Sequence, residues 1–95
     1  MKYSLPRGTK DVLPEEIVYW QYIEDTAKKV FSIYNYLEVR TPIFETSELF
    51  IRGIGNGTDI VEKEMYSFSD KRGRSFTLRP EGTAPIVRAY IQHDL

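Results

Sequence analysis

Apolar side chains recur every three or four positions over residues 14–35, which is the spacing of one helix face. The stretch opens with Pro14, which suits a first helical turn, and ends at Asn35, which tolerates the left-handed backbone of a helix end. The pattern therefore predicts one long amphipathic helix. Its apolar face comprises Ile17, Trp20, Ile23, Ala27, Val30, Phe31 and Tyr34.

Two shorter elements are predicted next. Residues 36–45, YLEVRTPIFE, alternate apolar and polar side chains and indicate a strand. Pro42 has no N–H to donate to a sheet, so this strand lies at an edge or is interrupted. Residues 47–54 predict a short second helix.

A β-hairpin over residues 63–81 is the clearest strand signal. Its turn has Asp70 early and Gly73 late, as turns of this kind do. Aromatic residues beside basic ones leave contact with nucleic acid open, but we favour an ordinary hairpin with a buried aromatic face. The side chains predicted to share a face are Tyr66 with Phe68, and Phe76 with Leu78.

The segment LRPEGT, residues 78–83, joins this hairpin to a predicted helix over residues 84–93. Pro80 ends the strand, because the residue before a proline is held extended. Gly82 lets the backbone turn sharply and lets another group approach it, and Thr83 is a good helix N-cap. A strand-to-helix turn thus accounts for these three residues.

Glu81 is not required by that turn, and its carboxylate has two plausible uses. It either interacts with the positive end of the helix or accepts hydrogen bonds from a cationic ligand such as an ammonium group. Arg79 and Arg88 are close enough in sequence to meet an anionic part of the same ligand. An amino acid carries both charges, so the sequence leaves a zwitterion site open beside the structural role.

The composition limits the other possibilities. The chain has 95 residues, enough for one small domain over residues 1–95, and its net charge of −1 supplies no global attraction for nucleic acid. There is no cysteine, which excludes disulfides and thiolate sites. No catalytic triad and no metal-ligand pattern are visible, and His93 is interpreted as an end-of-helix surface residue. No membrane span or signal peptide is recognisable, so we expect a cytoplasmic protein.

The N-terminal segment and the glycine-rich stretch give no clear functional signal. Residues 1–13 are either a disordered terminus or an arm packed near a site, since residues 7–11 are rich in polar side chains. The glycines of RGIGNGTD, residues 52–59, lack the spacing of a nucleotide-binding fingerprint, so a flexible loop is expected there. The last helix reaches almost to the end of the chain, which suggests the front of a longer protein.

Four stretches in order resemble the N-terminal part of the histidyl-tRNA synthetases, which are class II aminoacyl-tRNA synthetases. LPRGTKDVLP resembles the opening of that family, and YLEVRTPIFE is similar to class II motif 1, with Pro42 as its signature proline. LFIRGIGNGTDIVEKEMYSFSD resembles the stretch that follows. GRSFTLRPEGTAPIVRAY resembles the histidine-binding segment.

The resemblance implies an α+β fold: a long helix, antiparallel strands with a hairpin, and a following helix. It implies a homodimer with motif 1, including Pro42, at the interface, and Glu81, Gly82 and Thr83 as the histidine-binding residues. It also implies activation of histidine by ATP with Mg²⁺, followed by transfer to tRNA(His). Motif 2, motif 3 and the anticodon-binding domain of that family are absent, so the 95-residue chain alone is expected to be inactive.

Two other functions remain open. Some bacteria keep a synthetase-like paralogue that regulates ATP phosphoribosyltransferase in histidine biosynthesis and charges no tRNA. The intact RPEGT segment and the PRGTKD opening favour the ligase over this paralogue. The remaining alternative is a small α+β interaction domain in which the match is incidental.

Overall fold

The computed structural model describes residues 2–54 and 65–95, which form two compact units, Met1–Glu38 and Val39–Leu95. The first unit contains α1, Pro14–Ile33. The second contains β1 (Phe44–Thr46), α2 (Ser47–Ile54), β2 (Ser67–Ser69), β3 (Ser75–Leu78) and α3 (Thr83–Gln92). Helices and antiparallel strands in these ranges confirm the predicted α+β class.

Helix α1 confirms the long-helix prediction to within two residues. It begins at Pro14, and Asn35 just beyond its end has a φ of 62°, the left-handed conformation expected of that asparagine. In its first turn the Glu16 carboxylate lies 2.8 Å from Lys10 Nζ and accepts a hydrogen bond from Trp20 Nε1 at 3.1 Å. These two partners, Lys10 first, lower the pKa of Glu16.

The apolar face of α1 is open to solvent within its own unit. No residue of the helix is buried, and Trp20 is 49% exposed. Residues 2–13 contain neither helix nor strand, although Thr9 Oγ1 donates to the Pro6 carbonyl at 2.6 Å. Whether this arm lies near a site remains a prediction.

The three strands form one antiparallel sheet in the order β1-β3-β2. Glu45 pairs with Thr77 and Ser67 pairs with the same Thr77, so these three side chains share a face. On the other face, the Phe76 ring lies 5.5 Å from the ring of Phe44 and 5.9 Å from that of Phe68. The sheet thus has one polar face and one aromatic face.

The polar face is the one that the helices cover. Helix α2 packs on β1 and β3, and α3 packs on α2, with Phe50 fully buried between these elements. Ser47 Oγ, at the start of α2, shares hydrogen bonds with Ser75 Oγ at 2.7 Å and Thr77 Oγ1 at 2.8 Å. Thr77 is fully buried, and this hydroxyl network satisfies its polar atom.

This arrangement corrects two predictions. The hairpin has the predicted aromatic face, but that face is not buried, since Phe68 remains 43% exposed in the described part of the chain. The predicted strand over residues 36–45 is paired only from Phe44, because Pro42 has no N–H to donate and the carbonyls of Thr41 and Pro42 accept hydrogen bonds from the Arg79 side chain. The glycine-rich loop lies largely outside the described residues, with Gly53 in α2.

The hairpin turn is fixed by Asp70, as its composition predicted. Asp70 Oδ1 accepts hydrogen bonds from the N–H groups of Arg72 and Arg74, both at 2.9 Å, and Oδ2 accepts one from Arg74 Nε at 2.6 Å. Gly73 has a φ of 80°, which glycine adopts without strain. Desolvation opposes ionisation of Asp70, but the hydrogen bonds from Arg74 and Arg72 outweigh it and lower the pKa of this carboxyl.

Candidate functional site

Glu81 stands between the end of β3 and the start of α3, and its carboxylate caps the helix. Oε2 accepts a hydrogen bond from the Thr83 N–H at 2.6 Å, and Oε1 accepts one from the Ala84 N–H at 3.1 Å. The first N–H groups of a helix have no partner within it, so a carboxylate placed here satisfies two of them. The helix-end use of Glu81 is therefore present, and its contact with a ligand remains a prediction.

The predicted N-cap at Thr83 is wrong. Thr83 is the first residue of α3, and the N-cap is Gly82, which makes no side-chain hydrogen bond. Glu81 supplies the acceptor instead, because its longer side chain folds forward onto the helix amides. Gly82 has a φ of −103°, which any residue adopts, so the turn itself does not require glycine.

Gly82 has open space beside it. A Cβ atom built at this position meets no atom within 4 Å outside its chain neighbours. Neither backbone conformation nor packing among the described residues thus demands glycine here. The sequence also suggested that Gly82 lets another group approach the backbone closely. The open space allows this, and it stays a prediction.

A cleft of about 510 Å³ opens beside the Glu81 carboxylate. One wall comes from the extended segment 39–41 and the other from the turn 79–82, with Ile86 of α3 at its side. The cleft therefore combines an acidic group, a backbone free of side chain at Gly82, and apolar surface. Its lining residues are Val39, Arg40, Thr41, Arg79, Pro80, Glu81, Gly82 and Ile86.

The two arginines predicted to meet an anionic ligand both hold protein acceptors. Arg79 Nη1 donates to the carbonyl of Thr41 at 2.9 Å and to that of Pro42 at 3.3 Å. Arg88 pairs through two nitrogens with Glu45, with Nε 3.0 Å from Oε1 and Nη2 3.0 Å from Oε2. Their observed contacts thus fix segments of this unit to one another.

Glu45 is a residue that the sequence analysis missed. Its side chain is only 9% exposed, and its bidentate pair with Arg88 ties β1 to α3. The residue pattern carried no signal for it, because the strand pairing that places Glu45 is visible only in the structure. Glu45 shares a face with Thr77, and an acid on a covered face needs a cationic partner.

The other predicted positions have simpler surroundings. Pro42 is exposed and lies just before β1, where its carbonyl accepts from Arg79. His93 is the exposed C-cap of α3, as predicted. Over residues 2–54 and 65–95, no three His, Asp or Glu side chains are grouped to hold a metal ion. In the same ranges no helix has the length and apolar character needed to span a bilayer.

The family comparison covers nearly the whole chain, including both cleft walls. The sequence profile of the family described as Histidyl-tRNA synthetase matches residues 8–94. The chain belongs to the histidyl-tRNA synthetase family. Its family resemblance is thereby confirmed, and the interpretation as an unrelated interaction domain is wrong.

Similar proteins carry the ligase name. The chain is 64% identical to the histidine–tRNA ligase of Halothermothrix orenii over all 95 residues, which are 23% of that protein. It is 60% identical to the Geobacillus kaustophilus ligase, again over its full length and 22% of the relative. The chain thus spans less than a quarter of the length of these histidyl-tRNA synthetase relatives.

Solved structures share the fold. The apo crystal structure of S. aureus histidyl-tRNA synthetase matches with a TM-score of 0.82 and 50% identity, over 97% of this chain and 21% of that one. A Bacillus halodurans protein named as an ATP phosphoribosyltransferase regulatory subunit/histidyl-tRNA synthetase matches with a TM-score of 0.76. Its identity is 28%, over 95% of this chain and 23% of that one. The synthetase fold expected for this segment is confirmed.

Proposed function

We propose that these 95 residues supply the amino-acid-binding part of a histidine–tRNA ligase. In that reaction the histidine carboxylate attacks the α-phosphate of ATP, giving histidyl-adenylate and pyrophosphate, and the histidyl group then passes to tRNA(His). The main support is the position of the Glu81 carboxylate, which accepts hydrogen bonds from the first N–H groups of α3 and lies at the edge of a cleft. Ligases 57–64% identical over the whole chain support the same conclusion.

Capping and ligand binding are compatible at Glu81. An ionised carboxylate offers about four lone-pair sites, and the two helix N–H groups use only part of them. The remaining sites on this half-buried, cleft-lining group can accept hydrogen bonds from an ammonium. The helix contacts fix the carboxylate rotamer beforehand, so binding loses little side-chain entropy. Glu81 thus binds and orients, and it needs no role as a general base.

Gly82 and Thr83 complete the proposed histidine-binding segment. The open space beside Gly82 allows a ligand to approach the backbone. Thr83 is exposed at the first position of α3, where its hydroxyl is available to help fix the substrate. Glu81 and Gly82 line the cleft, and Thr83 follows them in the chain just outside its lining.

The described residues do not fit a Mg²⁺–ATP site. They contain no group of three acidic or histidine side chains for the cation, and Arg79 and Arg88 already hold protein acceptors. ATP and Mg²⁺ enter the proposal only as the co-substrate and ion of the complete ligase. No step performed by this segment is derived through them.

We also propose a homodimer in the cytoplasm for the complete ligase. The support is the apolar face of α1, which has no buried residue in its unit, and the exposed Pro42 of the motif 1 segment. Such a face is characteristic of an element that is covered by further protein. The cytoplasm is where charged tRNA is used.

The test is histidine-dependent exchange of labelled pyrophosphate into ATP by the complete gene product that contains these residues. We expect exchange with histidine and none with the other amino acids. A folded gene product without exchange would contradict the ligase proposal. Activation of ATP phosphoribosyltransferase by that product would support the regulatory alternative, which the 28% identity to the B. halodurans protein makes the more distant one.

A further inference from the structure

We infer that Arg79 is a positioning residue that sets the distance between the Glu81 carboxylate and the opposite wall of the cleft. This inference rests on the proposed function, because it concerns the same amino-acid site. It concerns a residue to which the sequence analysis gave a different role, contact with an anionic ligand.

Arg79 makes all its observed side-chain bonds to a segment 38 residues earlier in the chain. Nη1 donates to the Thr41 carbonyl at 2.9 Å and the Pro42 carbonyl at 3.3 Å, with Thr41 Oγ1 at 3.4 Å. The backbone N–H of Arg79 donates to the Ile43 carbonyl at 2.9 Å. One residue therefore binds three successive positions of the facing segment.

These bonds join the two walls of the cleft. Segment 39–41 forms one wall, and the turn that begins at Arg79 and carries Glu81 forms the other. Regular pairing between these two segments stops at Phe44 and Leu78, so the sheet does not reach Thr41 and Pro42. Beyond that pair one backbone bond remains, from the Arg79 N–H to the Ile43 carbonyl, and the guanidinium extends the link to Thr41 and Pro42.

The geometry favours a guanidinium over an ammonium. All these side-chain bonds come from one nitrogen, Nη1, and the guanidinium plane fixes the directions of its N–H bonds, whereas an ammonium is a flexible point charge. Pro42 has no N–H to donate to the facing segment, and its carbonyl accepts from Arg79. Loss of this donor releases segment 39–42 and lets the wall facing Glu81 move.

The experiment compares Arg79→Gln and Arg79→Lys with the wild type in pyrophosphate exchange by the complete gene product. We expect the KM for histidine to rise at least about tenfold in Arg79→Gln, since small displacements of a binding group are costly. The KM for ATP should stay within about twofold. Arg79→Lys should recover only part of the histidine affinity. If Arg79→Gln does not fold, Arg79→Lys carries the comparison.

The matched control is Arg74→Gln. Like Arg79, Arg74 is exposed and donates a side-chain hydrogen bond, in its case to Asp70. It belongs to the hairpin turn and does not line the cleft beside Glu81. Its substitution should leave the KM for histidine unchanged. A double variant with Glu81→Gln tests the route of action: if Arg79 acts through Glu81, the Arg79→Gln effect should fall below about twofold in that background.

Three results would overturn the inference while leaving the ligase proposal intact. A rise in the KM for ATP alone would mean that Arg79 meets a phosphate. A lower melting temperature with both KM values unchanged would mean that Arg79 only stabilises the fold. Full additivity with Glu81→Gln would mean that Arg79 does not act through that carboxylate. Absence of exchange in the wild type would instead contradict the proposed function itself.

Discussion

Replacing Glu81 by Gln separates the two roles of this residue. The amide keeps one acceptor oxygen but loses the charge and the second acceptor, so the Thr83 and Ala84 N–H groups must share one neutral oxygen through weaker bonds. This weakening costs at most the value of a whole cap, about 1 kcal/mol. Loss of a charge-assisted bond to the histidine ammonium costs roughly 1.5–3 kcal/mol. At 1.4 kcal/mol per tenfold, histidine affinity should fall roughly ten- to 150-fold.

The assay pairs histidine titration calorimetry with hydrogen exchange on α3 in the complete gene product. Faster exchange at the Thr83 and Ala84 amides reports the weakened cap, and the dissociation constant reports the lost ligand contact. The control is Glu48→Gln, the same change in the first turn of α2, where the carboxylate only faces Arg52 at 3.9 Å on the surface. Unchanged histidine affinity together with faster exchange would refute the binding role and leave Glu81 as a helix cap.

Three further predictions follow from the same contacts. Gly82→Ala should leave the melting temperature unchanged or raise it, because the φ of −103° suits alanine and an added Cβ meets no atom within 4 Å. Histidine affinity should nevertheless fall, and an unchanged affinity would exclude close approach of the ligand here. Glu45→Gln should lower the free energy of unfolding by about 2 kcal/mol. This is less than the roughly 3–5 kcal/mol for breaking a fully buried ion pair, because the Arg88 side chain is 27% exposed. An unchanged melting temperature would contradict this prediction. The lowered pKa of Asp70 stabilises the hairpin above the unfolded value of about 4, and this contribution is lost as the pH falls through the lower folded pKa. Asp70→Asn should therefore melt lower than the wild type at pH 6, and the difference should shrink on acidification; a constant difference would contradict the linkage.

The sequence predicted an element well where the contacts that define it join residues close together in the chain. Helix α1 has a proline at its start and an asparagine at its end, and both act within the chain segment itself. The Asp70 turn is equally local, since every bond to its carboxylate comes from two or four residues away. Such contacts depend on sequence distance, so the pattern alone reveals them.

The failures occurred where a partner lies far away in the chain. The strand over residues 36–45 was predicted too long, because the alternation does not show that Arg79 claims the carbonyls around Pro42. Glu45 was missed because its partner Arg88 is 43 residues away. The aromatic face was expected inside, but the helices cover the hydroxyl face, where Ser47 of α2 bonds Ser75 and Thr77.

The sequence by itself determined the α+β class, the turn that carries Glu81, and the family to which these residues belong. These depend on periodicity and on short motifs, which are properties of neighbouring residues. Only the tertiary structure decided that Glu81 caps α3, that Gly82 is not required by its backbone conformation, and that Arg79 joins the cleft walls. The physical reason is that a carboxylate or a guanidinium takes its role from the donors and acceptors that folding brings within about 3 Å.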